Sequence, residues 1–255
     1  MKQRVAVVTG GLQGIGLAIA KAITQNGVRV AVGSRRGGDS RASSAANKAV
    51  GSDGLVSRLD VASSDSVDAF IEEVKAAMGM PDILINAAGV SVHQTVCGHS
   101  DDDWNHVIDI NLSGPFRMIR ACLPGMKQQG WGRIVNIAST AARTASPTHA
   151  AYCASKTGLV GITRAVALEG GPYGVTCVAI SPGWVETDML RESARTMAEK
   201  SGRTEAEEIA AMGATNPQNR LIQPEEIAAL AVYCCSEAAA GLTMEDIQVN
   251  AGALW

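Results

Sequence analysis

Val5-Ala6-Val7-Val8-Thr9-Gly10-Gly11-Leu12-Gln13-Gly14-Ile15-Gly16 joins an uninterrupted apolar run to a turn with glycines at 10, 14 and 16, and a helical pattern then continues to Asn26 and stops at Gly27. An apolar run without polar alternation marks a strand covered on both faces. Glycines in the turn let the backbone approach a bound group closely. The helix that follows aims unpaired N–H groups and the positive end of its dipole at the same point. Strand, turn and helix together describe a cradle for a pyrophosphate.

Similar Val- and Ile-rich runs recur at 28–32, 55–59, 83–85, 134–137, 175–180 and 247–249, with helix-length segments between them. That rhythm predicts an α/β fold: a Rossmann-like, doubly wound domain whose central parallel sheet is flanked by helices. Ser63-Ser64-Asp65 caps a helix carrying Val67, Phe70 and Val74. A second helix starts near Ser100-Asp101 and is expected to turn Trp104, Val107, Ile108 and Ile110 toward the core. Residues 33–44 read as a loop. Between Thr187 and Pro217 the rhythm breaks into a helix-prone, charged excursion, expected to form a lid at about 187–215 over a ligand.

At 255 residues the chain is expected to form one domain, 1–255. Its 22 Lys+Arg against 25 Asp+Glu give no field that would favour nucleic acid or an anionic membrane, which leaves a small-molecule substrate as the partner. No apolar stretch approaches the roughly 20 residues of a membrane span. Met1-Lys2-Gln3-Arg4 leads into too short a run for a secretion signal, and Ala253-Leu254-Trp255 matches no lipidation or retention signal, so a cytoplasmic location is expected. The six cysteines are scattered and show no ligand spacing with the histidines. They are expected to be buried thiols, with no metal site.

Past the second strand, where an NAD-preferring protein places an acidic residue for the ribose 2′-hydroxyl, the chain reads Gly33-Ser34-Arg35-Arg36. A hydroxyl and two guanidinium groups suit a 2′-phosphate, so NADP(H) is favoured over NAD(H). Further on, Tyr152 and Lys156 lie four residues apart in a helix expected over 150–169, and so share one face. An ammonium some 5 Å from a phenolate would favour it by roughly 3 kcal/mol at an effective dielectric near 20, about two pK units. Tyr152 is thereby expected to exchange a proton near neutral pH, with Ser139 as a nearby hydroxyl.

Over essentially its whole length the chain resembles the classical short-chain dehydrogenase/reductase family. The resemblance rests on Thr9-Gly10-x-x-x-Gly14-Ile15-Gly16, Asp60-Val61, Asn86-Ala87-Ala88-Gly89, Asn111, Ser139, Tyr152-x-x-x-Lys156 and Pro182-Gly183-x-x-x-Thr187, in the family's order and spacing. It implies an NADP(H)-dependent oxidoreductase acting on ketones and secondary alcohols, with Asn111, Ser139, Tyr152 and Lys156 as the catalytic set. Tyr152 would be the general acid or base, and Ser139 would bond the substrate oxygen. Lys156 would hold the nicotinamide ribose and lower the phenol's pKa, and Asn111 would keep a water in place. The implied cofactor contacts are Gly10, Leu12, Gln13, Gly14, Ile15 and Gly16 at the pyrophosphate, Ser34, Arg35 and Arg36 at the ribose, and Asp60 and Val61 near adenine. Asn86, Ala87, Ala88 and Gly89 would lie behind it, and Pro182, Gly183, Val185 and Thr187 at the carboxamide.

The resemblance also implies a substrate pocket from 90–98, 140–149 and 184–215, including Val92, His93, Thr140, Ala141, His149, Trp184 and Met189. A 3-oxoacyl-thioester reductase, with coenzyme A or a carrier protein, is one alternative. A non-catalytic NADP(H)-binding redox sensor is another. Where carrier-dependent members have basic docking residues, this chain has Gly130 and Tyr173. Lid residues Arg191, Arg195, Lys200 and Arg203 are either contacts for an anionic tail or surface charges paired with Glu192, Glu199 and Glu205. A homo-oligomer, tetramer or dimer, is expected, although Gln248-Val249-Asn250-Ala251-Gly252 departs from the family's usual ending.

Overall fold

The computed structural model describes residues 3–253; the chain ends read above for targeting signals, Met1-Lys2 and Leu254-Trp255, lie outside the described residues. Seven strands form one parallel sheet: β1 Val5–Thr9, β2 Arg29–Ser34, β3 Leu55–Arg58, β4 Ile83–Asn86, β5 Gly132–Ile137, β6 Val175–Pro182 and β7 Asp246–Val249. Their order across the sheet is β3-β2-β1-β4-β5-β6-β7. The order reverses beside β1, and the carboxyl ends of β1 and β4 part there to leave a crevice. All seven expected strands are present. The central ones are buried along their whole length because helices cover both faces.

One face is covered by α1 Gly14–Gln25, α2 Ser44–Val50 and α9 Pro224–Cys234, the other by α3 Ser64–Met78, α4 Asp101–Ile108, α5 Gly114–Gln129 and α6 Ala150–Gly170. The capping expectations hold: Ser63 accepts from the Ser66 amide and Ser100 from the Asp103 amide. Of residues 33–44, expected to be a loop, Gly33 and Ser34 complete β2 and Ser44 opens α2, so the connection is 35–43. Trp104 corrects its expectation. It is 40% exposed, with its ring edge-on to His99, while Val107 and Ile110 take the core positions. The cysteines are all free, but only Cys122, Cys177 and Cys234 are buried as expected; Cys153 and Cys235 are half-buried and Cys97 is exposed.

The excursion after β6 consists of α7 Asp188–Ser201 and α8 Glu205–Gly213. Leu190, Ala194 and Met212 pack together there with Trp184 and Leu221, so this helical pair has a small core of its own. Two of its four basic side chains are paired: Arg191 with Glu186 at 3.0 Å, and Arg195 with Glu192 at 3.2 Å and Glu205 at 3.7 Å; Lys200 and Arg203 form no ion pair among the described residues. No helix among the described residues is long and apolar enough to cross a membrane.

Candidate active site

The crevice at the carboxyl ends of the strands holds two joined cavities. The larger, about 550 Å³, runs along the glycine turn. Gly10 has φ +69°, and a Cβ there would stand 2.8 Å from the Ala88 Cα, so only glycine lets the turn lie against the end of β4. Thr9 Oγ1 accepts from the amides of Ala87 and Ala88, both at 3.1 Å, and so ties the two strand ends together. Gly10, Leu12, Gln13, Gly14, Ile15 and Gly16 line this cavity as expected. Ser34, Arg35 and Arg36 close its far end, with Asp60 and Val61 beside them.

Arg35 and Arg36 are exposed and have no acidic partner among the described residues; Arg36 makes only a 3.4 Å contact with Gln13 Oε1. Two uncompensated guanidinium groups at the end of a phosphate cradle fit an additional phosphate. Asp60 has two tasks. Its Oδ1 accepts from the Ala62 amide, which caps the turn after β3, and the carboxylate still borders the cavity. Asn86 does not line either cavity. Its amide donates to Asn136 Oδ1 at 2.8 Å, beneath the cofactor cleft, so it acts as support while Ala87, Ala88 and Gly89 form the wall.

The second cavity, about 390 Å³, shares Ile15, Ala87, Gly89, Thr187 and Met189 with the first. Ser139, Tyr152, Lys156, Pro182, Gly183 and Val185 all open onto it. Ser139 follows the end of β5, accepts from the Ala141 amide at 3.1 Å, and shares a hydrogen bond with the Tyr152 phenol. Thr187 lines both cavities and caps α7 by accepting from the Leu190 amide, which ties that helix to the cleft wall. Of the pocket residues expected from sequence, Val92 and His93 stand behind the wall. Ser91, Thr144, Ala145 and Ser146 line the cavity within the expected 90–98 and 140–149 segments, while Cys153, outside them, is a wall residue that the sequence reading missed.

Lys156 is buried, and its ammonium donates to the Ile137 carbonyl at 2.8 Å. With that single partner, burial lowers its pKa to about 8. The expected depression of the phenol is not found. Tyr152 is half-buried by surface but its hydroxyl is deeply set, and desolvation raises its pKa while the Ser139 bond pulls the other way. Nζ lies 5.6 Å from the phenol ring centre and is aimed at the carbonyl, so the cost of burying a phenolate outweighs the ammonium.

The lysine carries a stability signature. Between pH 8 and 10.5 the unfolded chain keeps a proton that the folded chain has released, so stability rises with pH through that window; below it the cost of burying the ammonium is complete. Without nucleotide, Lys156→Met should exceed wild type in stability at pH 7 by up to about 3 kcal/mol, the gap closing toward pH 10.5. Denaturant titrations across pH test this; a gap that does not change with pH would contradict it.

Asn111 lies in a five-residue π-helical stretch, Asp109–Ser113, between α4 and α5. Its side chain accepts from the Val90 amide and donates to the Val90 carbonyl, both at 2.9 Å, and donates to Ser155 Oγ at 3.1 Å. With both amide protons used, a water would have to rest on an oxygen of Asn111 rather than on its NH₂ group. Ser155, fully buried one residue before Lys156, was not anticipated; nothing in its local sequence marks it as the partner of Asn111.

A family model described as enoyl-(acyl carrier protein) reductase matches residues 10–253. The chain belongs to the short-chain dehydrogenase/reductase family. Like other short-chain dehydrogenases/reductases, it is an oxidoreductase of CH–OH and C=O groups. It is 39% identical over 254 residues to a Streptomyces virginiae protein assigned as the ketoacyl reductase of the monensin polyketide synthase, covering 98% of this chain and 96% of the relative. It is 35% identical over 237 residues to a D-beta-hydroxybutyrate dehydrogenase of Cupriavidus necator, covering 92% of each. Among solved structures, a single-substitution variant of actinorhodin polyketide ketoreductase with NADPH superposes with a TM-score of 0.94 at 34% identity, covering 98% of this chain and 97% of that one.

Proposed function

We propose that this short-chain dehydrogenase/reductase uses NADPH to reduce a small-molecule ketone to a secondary alcohol, with Tyr152 as the proton donor. The observation that carries the reading is the continuity of the two cavities. A cleft ending in unpaired Arg35 and Arg36 opens directly onto the Ser139 and Tyr152 hydroxyls. NADPH bound in that cleft supplies the hydride. Ser139 and Tyr152 hydrogen-bond the carbonyl oxygen, where negative charge gathers. A phenol held protonated by burial is in the right state to deliver its proton to that oxygen. Lys156 orients the ribose, and Asn111 fixes the Val90 backbone at the mouth of the cavity.

Substrate-dependent loss of the reduced-nicotinamide absorbance tests the reaction. NADPH should be preferred over NADH by at least about tenfold in kcat/KM, and Arg35→Ala or Arg36→Ala should each remove roughly tenfold of that preference. Equal use of both nucleotides by wild type would count against the phosphate site. A second reading, reduction of a 3-oxoacyl thioester, is supported by the first relative's naming as a ketoacyl reductase. We also read the chain as one NADP(H)-binding domain with its own lid, which assembles as a homotetramer or dimer. Exposed Phe116 on α5 and Leu168 on α6, 49% and 66% accessible, support self-association.

A further inference from the structure

His149 is the side chain in the substrate cavity whose position is most heavily determined, and neither the cofactor nor proton delivery to the carbonyl uses it. It directly precedes α6, so its ring faces the cavity one helical turn before Tyr152, with ring centres 6.4 Å apart. A backbone angle and three contacts fix it. Thr148 before it has φ +68°, a conformation that costs a β-branched residue about 1–3 kcal/mol and persists only where surroundings impose it. The Thr148 carbonyl accepts from the Gln94 amide at 3.0 Å, within a bridge that pairs Gln94 with His149. The His93 ring packs edge-on to His149 with centres 4.2 Å apart, and His93 Nε2 in turn meets Ser193 Oγ of the lid at 3.2 Å. Finally, His149 Nδ1 lies 3.0 Å from the Pro147 carbonyl oxygen.

That last contact assigns the tautomer. A carbonyl oxygen only accepts, so Nδ1 carries the proton, and in the uncharged ring Nε2 keeps a free lone pair. Among the described residues no other nitrogen acceptor lines the cavity. No cation other than Lys156 lines it either, and Lys156 is turned to the Ile137 carbonyl. Arg143 nearby is held by Asp246 at 2.8 Å. A carboxylate entering at the ring would meet its lone pair, while the cation of the cavity, Lys156, is engaged by the Ile137 carbonyl.

We propose that His149 is a specificity-determining residue that accepts a hydrogen bond from a substrate hydroxyl, selecting hydroxyketones over plain ketones and over oxo-carboxylates. With the carbonyl at Ser139 and Tyr152, a hydroxyl two carbons away lies toward the His149 ring. The inference rests on the ketone-reductase reading above.

The test compares 4-hydroxy-2-butanone, 2-pentanone and acetoacetate as NADPH-dependent substrates at pH 8, in wild type, His149→Phe and His149→Gln. Wild type should favour the hydroxyketone over 2-pentanone by roughly tenfold in kcat/KM, with acetoacetate poorest. His149→Phe should bring the first ratio to within about twofold of unity; His149→Gln, which keeps an acceptor oxygen, should retain much of the preference. A ratio unchanged in His149→Phe, or acetoacetate equal to the hydroxyketone in wild type, overturns the proposal and leaves the reductase reading standing. No turnover of any of the three by wild type overturns both.

Discussion

Tyr152→Phe is expected to lower kcat/KM for ketone reduction by about a thousandfold, some 4 kcal/mol of transition-state stabilisation, while NADPH binds within about threefold of wild type. The substitution removes one oxygen. The ring stays in place against His149 and beside Lys156, so the cavity keeps its shape. Only the proton donor is lost, and Ser139 alone has to serve the oxyanion. Raised pKa values suit the two reaction directions unequally. A phenol kept protonated by burial is ready to give its proton in reduction, whereas oxidation needs the phenolate that burial disfavours. NADPH fluorescence titration and steady-state absorbance separate binding from turnover. Activity of the variant within tenfold of wild type would remove Tyr152 from the proton-transfer role, and NADPH binding without turnover of any ketone by wild type would favour the redox-sensor alternative.

The middle of the sheet was legible in the sequence because its central strands are buried on both faces, so their residues are mostly apolar whatever their parity. Val5 to Val8 and Ile83 to Ile85 announce themselves in this way. The glycine turn was legible for a related reason, since the close approach of Gly10 to Ala88 admits no other residue. What was missed depends on distance in space rather than along the chain. Helix α2 has seven residues, two of them buried, too few to build a period. The π-helical stretch at Asn111 adds a residue to a turn without any residue type that marks it. A four-residue spacing put Tyr152 and Lys156 on one face, as found. It could not show that the ammonium would turn to Ile137, nineteen residues earlier, and so the electrostatic effect expected on the phenol did not follow.

The proposed cofactor preference is expected to depend on a residue that the sequence reading passed over. Gly37→Ala is expected to raise the NADPH Kd at least about tenfold and to destabilise the fold by roughly 3 kcal/mol or more. After β2 the chain turns back on itself, with the Gly37 amide donating to the Ser34 carbonyl at 2.8 Å, and lies across the end of β3. A Cβ on Gly37 would stand 1.8 Å from the Ser57 carbonyl oxygen and 2.3 Å from its carbon. Both are backbone atoms of a paired strand, so the clash cannot be relieved by a side-chain rotation. Either β3 or the turn has to move by about an ångström to restore ordinary contact. The turn is the freer of the two, and Arg35 and Arg36 immediately precede the clash, so the displacement carries the proposed phosphate clamp away from the cleft. Gly241→Ala, where a Cβ would meet nothing within 4 Å, serves as the control and should leave both stability and NADPH affinity close to wild type. Thermal denaturation and NADPH titration on the two variants decide the matter. Unchanged NADPH affinity in a destabilised Gly37→Ala would show that the strand yielded instead, and would separate the architecture of the turn from the choice of cofactor.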